Sequence, residues 1–118
     1  GVGMAALGAN TTGASNTAVG HNALAANTTA ANNTAVGATA LDACTTGTNN
    51  VAVGSNALGA NTTAGYSSAL GTNALLSQTT GGSNNAFGWG SADALTTGTD
   101  NQAFGNHALG ALIMLVKL

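Results

Sequence analysis

Residues 50–58 of the chain read N-V-A-V-G-S-N-A-L, and this stretch decides the fold. Val51 and Val53 alternate with Asn50 and Ala52, which is the two-residue period of a β-strand whose two faces differ. The glycine that follows the strand marks a corner of the chain. Closely related stretches occupy positions 33–41 and 67–75, at equal distances before and after this one, so the strand belongs to a repeated unit.

The repeated unit reads V-G-x-N-A-L-x-A-N-T-T-G-x-x-N-T-A, and its copies follow one another without insertion. Seven pairs of an apolar residue and glycine mark its phase, and only the sixth copy departs from the pattern. There Ala92 takes the leucine position, and the Ala-Leu pair moves to residues 94–95. A unit this short cannot close a core by itself, so its copies must stack.

The repeat therefore predicts an all-β protein, a parallel β-solenoid of about seven 17-residue coils over residues 1–109, with two strands and two corners in each coil. The invariant glycines are the predicted corners, where φ is positive or another backbone comes too close for a Cβ. These corner glycines are Gly3, Gly20, Gly37, Gly54, Gly71, Gly88 and Gly105.

Two columns of large apolar residues form the predicted core. The apolar column precedes the corner glycines and consists of Val2, Val19, Val36, Val53, Leu70, Phe87 and Phe104. The leucine column consists of Leu7, Leu24, Leu41, Leu58, Leu75 and Leu109.

Two large side chains in each coil bury little apolar surface against the entropy of ordering the whole repeat. We therefore expect the chain to pack against other copies of itself, as a trimer or as a fibril. A column of alanines on the strand face opposite the apolar column is the predicted interchain contact. This alanine column consists of Ala18, Ala35, Ala52, Ala69, Ala86 and Ala103.

The charged residues are only Asp42, Asp93, Asp100 and Lys117, and the chain has no Arg and no Glu. This composition offers no basic patch for nucleic acid. The three Asp residues occupy different repeat positions, so the recurring acidic ligand of calcium-binding solenoids is absent. No run of apolar residues is long enough for a membrane helix, and we expect no direct membrane insertion.

His21 and His107 lie five copies apart, or about 24 Å in a straight stack, which is too far to share a metal ion. We predict no catalytic residue, no cofactor and no metal site, and the chain is interpreted as a non-enzymatic protein.

Three single residues leave alternatives open. Cys44 occupies a position that is otherwise mainly Asn, and it is either a substituted member of a stacked Asn column or an interchain disulfide partner. Trp89 and Tyr66 occupy variable positions and are candidates for exposed binding aromatics, Trp89 more so because it lies in the irregular sixth copy.

Residues 110–118 leave the repeat and form an apolar tail, G-A-L-I-M-L-V-K-L. The tail is too short to span a bilayer. It is interpreted as a strand that caps the solenoid, as the start of a helical stalk, or as a segment that docks into another subunit.

The stretch N-N-V-A-V-G at residues 49–54 resembles the N-S-V-A-I-G repeat in the heads of trimeric autotransporter adhesins, the YadA-like family. Residues 32–37 and 15–20 match nearly as well, and the N-T-A-V-G-x-N-A-L pattern is also similar to phage tail-fibre repeats. The resemblance implies a left-handed parallel β-roll, three rolls side by side, on a cell or virion surface. The 17-residue unit is longer than the family's, and the family's neck motif is absent.

The sequence thus favours an extracellular structural or adhesive fibre module that presents repeated Asn and Thr surfaces to a host surface or matrix ligand. A homopolymeric fibril whose subunits stack end to end is one alternative. An ice-binding solenoid is another, although adjacent threonines on a strand cannot both face outward.

Overall fold

The computed structural model describes residues 1–110, which contain short strands and turns and no helix. Each strand is three residues long and falls at the same position of its copy. The strands are β1 (Thr17–Val19), β2 (Thr34–Val36), β3 (Val51–Val53), β4 (Ser68–Leu70), β5 (Asn85–Phe87) and β6 (Gln102–Phe104). The apolar tail lies outside the described residues, apart from Gly110.

The six strands form one parallel sheet in the order of the sequence, β1 to β6. Equal positions of successive copies are paired, as where Ala35 lies opposite Ala52 and Ala52 lies opposite Ala69. An isolated parallel bridge between Val2 and Val19 continues the same register toward the N-terminus. The prediction of a β-solenoid with a 17-residue repeat is therefore confirmed, and the body measures 37 × 20 × 16 Å.

Turns connect the strands, and the second strand expected in each coil is not found among residues 1–110. The backbone of these turns is nevertheless bonded from copy to copy. The N–H of Thr39 donates to the carbonyl of His21 at 2.8 Å, and the N–H of Leu41 donates to that of Ala57 at 3.0 Å. Thr39 and Leu41 both have positive φ, of 57° and 52°. Residues in the left-handed region bend the chain too sharply for a β-strand, although the backbone N–H and C=O groups of the turns remain hydrogen-bonded.

The corner glycines have the predicted positive φ, and all of them except Gly105 also lie too close to the next copy for a Cβ. All seven have φ between 121° and 136°. A Cβ on Gly54 would lie 2.5 Å from the carbonyl carbon of Gly71 in the next copy. Only a residue without a side chain fits where an unusual φ and a close approach coincide.

The leucine column lies in the core as predicted, with Leu24, Leu41, Leu58 and Leu75 fully buried. Leu7 and Leu109, in the first and last copies, are partly buried and pack against the same cluster.

The prediction was wrong for the other two columns, because the strand faces are reversed. Every strand buries its central alanine, so Ala18, Ala35, Ala52, Ala69, Ala86 and Ala103 pack inside their own chain and are not available to a second chain. The apolar column points outward instead. Its members Val2, Val19, Leu70 and Phe104 are exposed, and Val36, Val53 and Phe87 are half-buried.

Buried asparagines explain this reversal. The residue two positions before each central alanine forms the asparagine column, which consists of Asn16, Asn33, Asn50, Ser67, Asn84 and Asn101. Asn33 Oδ1 accepts the backbone N–H of Asn50 at 2.9 Å, and Asn33 Nδ2 donates to the carbonyl of Gly47 at 2.8 Å. These bonds join neighbouring copies and draw the coil wall together. The narrow interior holds alanine methyl groups beside the amides, and the larger valines face outward.

Candidate functional site

The apolar column runs along the exposed surface of the sheet. Its seven side chains repeat at the strand spacing of about 4.8 Å, which makes the column roughly 29 Å long. Leu70 is 47% exposed and Phe104 is 65% exposed. At the C-terminal end the rings of Phe87 and Phe104 are stacked, with centroids 5.0 Å apart and an angle of 11° between the planes. A continuous apolar strip of this length is typical of a surface that contacts another molecule.

The first residue of each strand shares this surface with the apolar column. These neighbours are Thr17, Thr34, Val51, Ser68, Asn85 and Gln102, and none is charged. Asn85 Nδ2 donates to Gln102 Oε1 at 2.9 Å, so these two amides bond to each other at the C-terminal end of the strip. We call the outward side chains of β1 to β6 the outer sheet face. Because it carries no charge, its burial would require no desolvation of ionised groups.

The threonine pairs form two further columns with different surroundings. The first threonine of a pair bonds to the next copy, as where Thr11 Oγ1 donates to the carbonyl of Thr28 at 3.0 Å. The second threonine is exposed in all six copies that contain the pair, at Thr12, Thr29, Thr46, Thr63, Thr80 and Thr97. The hydroxyl groups of this exposed column are therefore presented in single file.

The irregular sixth copy places an aromatic and an imidazole ring in contact. Trp89 is 53% exposed and lies just beyond the corner at Gly88, after the end of β5. Its ring and that of His107 have centroids 4.4 Å apart and planes at 63°. A Cβ on Gly90 would lie 2.7 Å from His107 Nδ1 and 3.5 Å from Asp93 Oδ2. The absence of a side chain at Gly90 thus leaves the space that the His107 ring occupies beside Trp89.

The core adjusts to the irregular copy without losing its packing. Ala92 occupies the leucine position and is buried, and Leu95 fills the inward position that Cys44 holds in the third copy. Ser91, in place of the usual alanine, donates its hydroxyl to the carbonyl of Ala103 at 3.1 Å. The irregularity therefore changes the surface at Trp89 while the solenoid continues beneath it.

Cys44 is a free, buried cysteine, as the interpretation of a substituted Asn column required. Asn27 Nδ2 donates to Asn10 Oδ1 at 2.7 Å, but Asn27 Oδ1 has no partner because the next residue of this column is Cys44. The thiol bonds to the carbonyl of Gly47 at 3.4 Å instead. Burial raises the pKa of the Cys44 thiol. A thiol in this position is not accessible to a second chain, which argues against the interchain disulfide.

The remaining polar candidates are scattered. His21 and His107 lie five copies apart, and Tyr66 is an isolated side chain, 68% exposed. Residues 1–110 contain no group of three or more His, Cys, Asp or Glu side chains that could hold a metal ion. The same part of the chain encloses no pocket. None of the described elements is a helix able to cross a membrane.

The Trp89–His107 contact was not found by sequence reasoning, because its residues occupy the third position of one copy and the fourth of the next. The only signal for it was Trp89 itself, in a copy that breaks the repeat. Comparisons with protein-family models, with curated proteins and with solved structures give no match to this chain.

Proposed function

We propose that the chain is a non-enzymatic, extracellular fibre or adhesin-head module that works as a homo-oligomer. The observation that carries the proposal is the uncharged outer sheet face with its apolar column. A monomer would leave this strip in water, where it invites non-specific association. Packing copies side by side would bury it and add the stabilisation that a narrow interior of alanine and asparagine supplies only in part.

A trimer of left-handed solenoids, each with about seven coils, is the assembly we propose. The resemblance to trimeric autotransporter heads supports both the handedness and the number of chains. The regular spacing of the apolar column supports side-by-side packing, because two strips with the same repeat can pack in register along their whole length. In this assembly the apolar column takes the interchain role first predicted for the alanine column.

We place the module on a cell or virion surface, where it would attach to a host surface or matrix ligand. The sequence resemblance supports this location, and the shape of the body suits a rigid support. A stack of copies held by backbone hydrogen bonds keeps each surface residue at a fixed height along the axis. The exposed threonine column would then be presented at regular intervals, which suits binding through many weak contacts.

Light scattering coupled to size-exclusion chromatography tests the assembly. We expect the chain to elute as one species with three times its monomer mass. Leu70→Asp places a charge in the apolar column and should give monomers whose circular dichroism is unchanged. Thr63→Asp, which adds the same charge on the exposed threonine column, is the matched control and should leave the trimer intact.

A monomeric wild-type protein, or a Leu70→Asp variant that elutes like Thr63→Asp, would contradict the proposal. A species that grows with time and concentration would instead favour the end-to-end fibril, because the terminal coils of a solenoid expose unpaired strand edges.

Ice binding is a second candidate, favoured by the exposed threonine column. Its six hydroxyl-bearing side chains repeat at the strand spacing of about 4.8 Å. The column is only one residue wide, however, because in five of the six pairs the hydroxyl of the first threonine is bonded to the neighbouring copy. Thermal hysteresis measured at high protein concentration tests this function, and its absence would remove the candidate.

A further inference from the structure

The exposed indole of Trp89 is not explained by the solenoid fold. At the same position the other six copies have Met4, His21, Ala38, Ser55, Thr72 and Asn106, so the fold does not require an aromatic residue there. An indole with half of its surface in water also forgoes much of the stabilisation that burial would give. Directly after Trp89 the sixth copy carries three consecutive departures from the repeat, G-S-A at residues 90–92 in place of N-A-L. Such a concentration of irregularities is typical of a functional site.

The neighbouring copy holds Trp89 in place. Its backbone N–H donates to Asn106 Oδ1 at 3.0 Å, and its carbonyl accepts the N–H of His107 at 2.8 Å. The His107 ring packs against the indole in the space left by Gly90. An aromatic side chain fixed in this way loses little conformational entropy when a ligand covers it.

Two polar groups lie beside the indole. Asp93 Oδ2 and His107 Nδ1 both lie within 3.5 Å of the point where a Cβ on Gly90 would be. Within residues 1–110 neither side chain has a hydrogen-bond partner. A carboxylate accepts hydrogen bonds, and a neutral imidazole both donates and accepts them. A flat apolar surface therefore borders a carboxylate and an imidazole.

We propose that Trp89, Asp93 and His107 form a shallow binding site for a pyranose ring, as part of a surface saccharide. One face of a pyranose carries C–H groups that are attracted to the negative face of an indole. Its hydroxyl groups donate to a carboxylate in charge-assisted hydrogen bonds. The proposal deepens the adhesive function proposed above, because it names the class of ligand, but the site lies within one chain and does not need the oligomer.

The shape of the site sets the affinity. Residues 1–110 enclose no pocket, so a bound ring would keep one side in water. We expect a dissociation constant of about 1–10 mM for a single monosaccharide, the range of weak small-ligand contacts. Several copies of the site on one oligomer would strengthen attachment to a surface that carries many saccharides.

A single tryptophan makes the site directly observable, because the indole N–H gives one resonance in a ¹H–¹⁵N spectrum. Galactose, glucose, mannose and N-acetylglucosamine are titrated separately to about 100 mM, well above the expected dissociation constant. We expect at least one of them to shift the indole resonance in a saturable way. Tetramethylammonium chloride is titrated in parallel, because an indole beside a carboxylate also attracts organic cations. The proposal fails if no sugar shifts the resonance, or if only tetramethylammonium does.

Variants then assign the contacts, with saturation transfer to the bound sugar as the readout. Trp89→Ala should weaken binding at least about tenfold, and Asp93→Asn about threefold or more. Tyr66→Ala removes a more exposed aromatic from another copy and should bind like the wild type. The proposal would be overturned if Trp89→Ala bound sugar as tightly as the wild type. It would also be overturned if Trp89→Ala and Tyr66→Ala lost the same amount of sugar affinity.

Sizing of the same samples separates this proposal from the proposed assembly. A monomer that binds sugar through Trp89 would refute the trimer and leave the saccharide site standing. A trimer whose indole resonance no sugar shifts would refute the site alone.

Discussion

Replacing Cys44 by asparagine should stabilise the protein, although the change adds a polar group to the core. The column to which Cys44 belongs contains Asn10, Asn27 and Asn61, which shows that the position accommodates an amide. In the present structure Asn27 Oδ1 is buried without a partner. An amide at position 44 could donate to Asn27 Oδ1 in the same way that Asn27 Nδ2 donates to Asn10 Oδ1, at 2.7 Å.

The expected gain follows from the bonds that are lost and made. A buried acceptor without a partner costs about 1–3 kcal/mol, which a new amide donor would recover. The hydrogen bond from the Cys44 thiol to the Gly47 carbonyl, at 3.4 Å, would be replaced by a hydrogen bond from the asparagine side chain, like that from Asn61 Nδ2 to the Ala64 carbonyl at 3.1 Å. After the desolvation of the new amide, we expect Cys44→Asn to raise the free energy of unfolding by about 1–2 kcal/mol. The corresponding rise in Tm is roughly 4–10 °C.

Urea unfolding followed by circular dichroism measures the effect, with two controls. Cys44→Ala leaves Asn27 Oδ1 unpaired and should lower the free energy of unfolding by about 1 kcal/mol. The second control introduces Cys44→Asn into an Asn27→Ala background, where there is no acceptor to satisfy and the gain should disappear. A Cys44→Asn variant no more stable than Cys44→Ala, or a gain that persists without Asn27, would refute the reasoning.

Three further predictions concern the corners, the strand faces and the thiol. Gly54→Ala should lower the free energy of unfolding by more than about 3 kcal/mol, because it combines a strained φ with a steric clash. Gly105→Ala should lower it by only about 1 kcal/mol, since the nearest atom to its Cβ would be 4.0 Å away. Equal losses in urea unfolding would show that the close approach is unimportant. Ala52→Leu should overfill the interior and lower the free energy of unfolding by at least about 1–3 kcal/mol. In a monomeric background, Val53→Thr should change this free energy by less than about 0.5 kcal/mol. A larger loss for Val53→Thr than for Ala52→Leu would restore the original assignment of the strand faces. Because burial raises the pKa of Cys44 above its ordinary value of 9.0, its protonated form stabilises the fold below that pH, and this contribution is lost as the pH rises through the folded pKa. Urea midpoints at pH 7 and about pH 10.5 should therefore fall more in the wild type than in Cys44→Ala, and parallel falls would contradict the assignment.

The repeat predicted those features that depend only on equal positions lying on top of one another. The parallel register, the corner glycines and the buried leucine column all follow from a constant repeat length without insertions. Each follows from the geometry of stacking, in which a column that must be Gly for one copy must be Gly for the next.

The facing of the strands could not be read from hydrophobicity, because the alternation in Asn50-Val51-Ala52-Val53 allows either face to be inside. The usual preference for valine in the core was overruled by asparagines that bond to the backbone of adjacent copies. Variation within the columns was the better signal. The outward position before alanine holds Thr, Val, Ser, Asn or Gln, whereas the alanine column never changes. A position that tolerates no larger side chain in any copy is one that packs against its neighbours.

The candidate saccharide site was predicted only in part. The irregular sixth copy directed attention to Trp89, but His107 was considered only as a possible metal ligand with His21, which lies five copies away. The two residues are separated by one position more than the repeat, and their contact depends on Gly90 having no side chain. An alignment of the copies compares equal positions and therefore does not reveal a contact between unequal ones.

The direction of the hydrogen bonds has a mechanical consequence. Hydrogen bonds such as those from the Asn50 backbone N–H to Asn33 Oδ1 and from Asn50 Nδ2 to the Ala64 carbonyl join one copy to the next, and the backbone bonds of the sheet run with them along the stack. A force that pulls the two ends of one chain apart would therefore detach the coils one after another. Only the few hydrogen bonds between the terminal coil and its neighbour would resist the force at any moment. Sideways drag would load many bonds together. A single solenoid of this kind is strong against shear and weak against tension, and a fibre built from it would have to share tension among chains lying side by side.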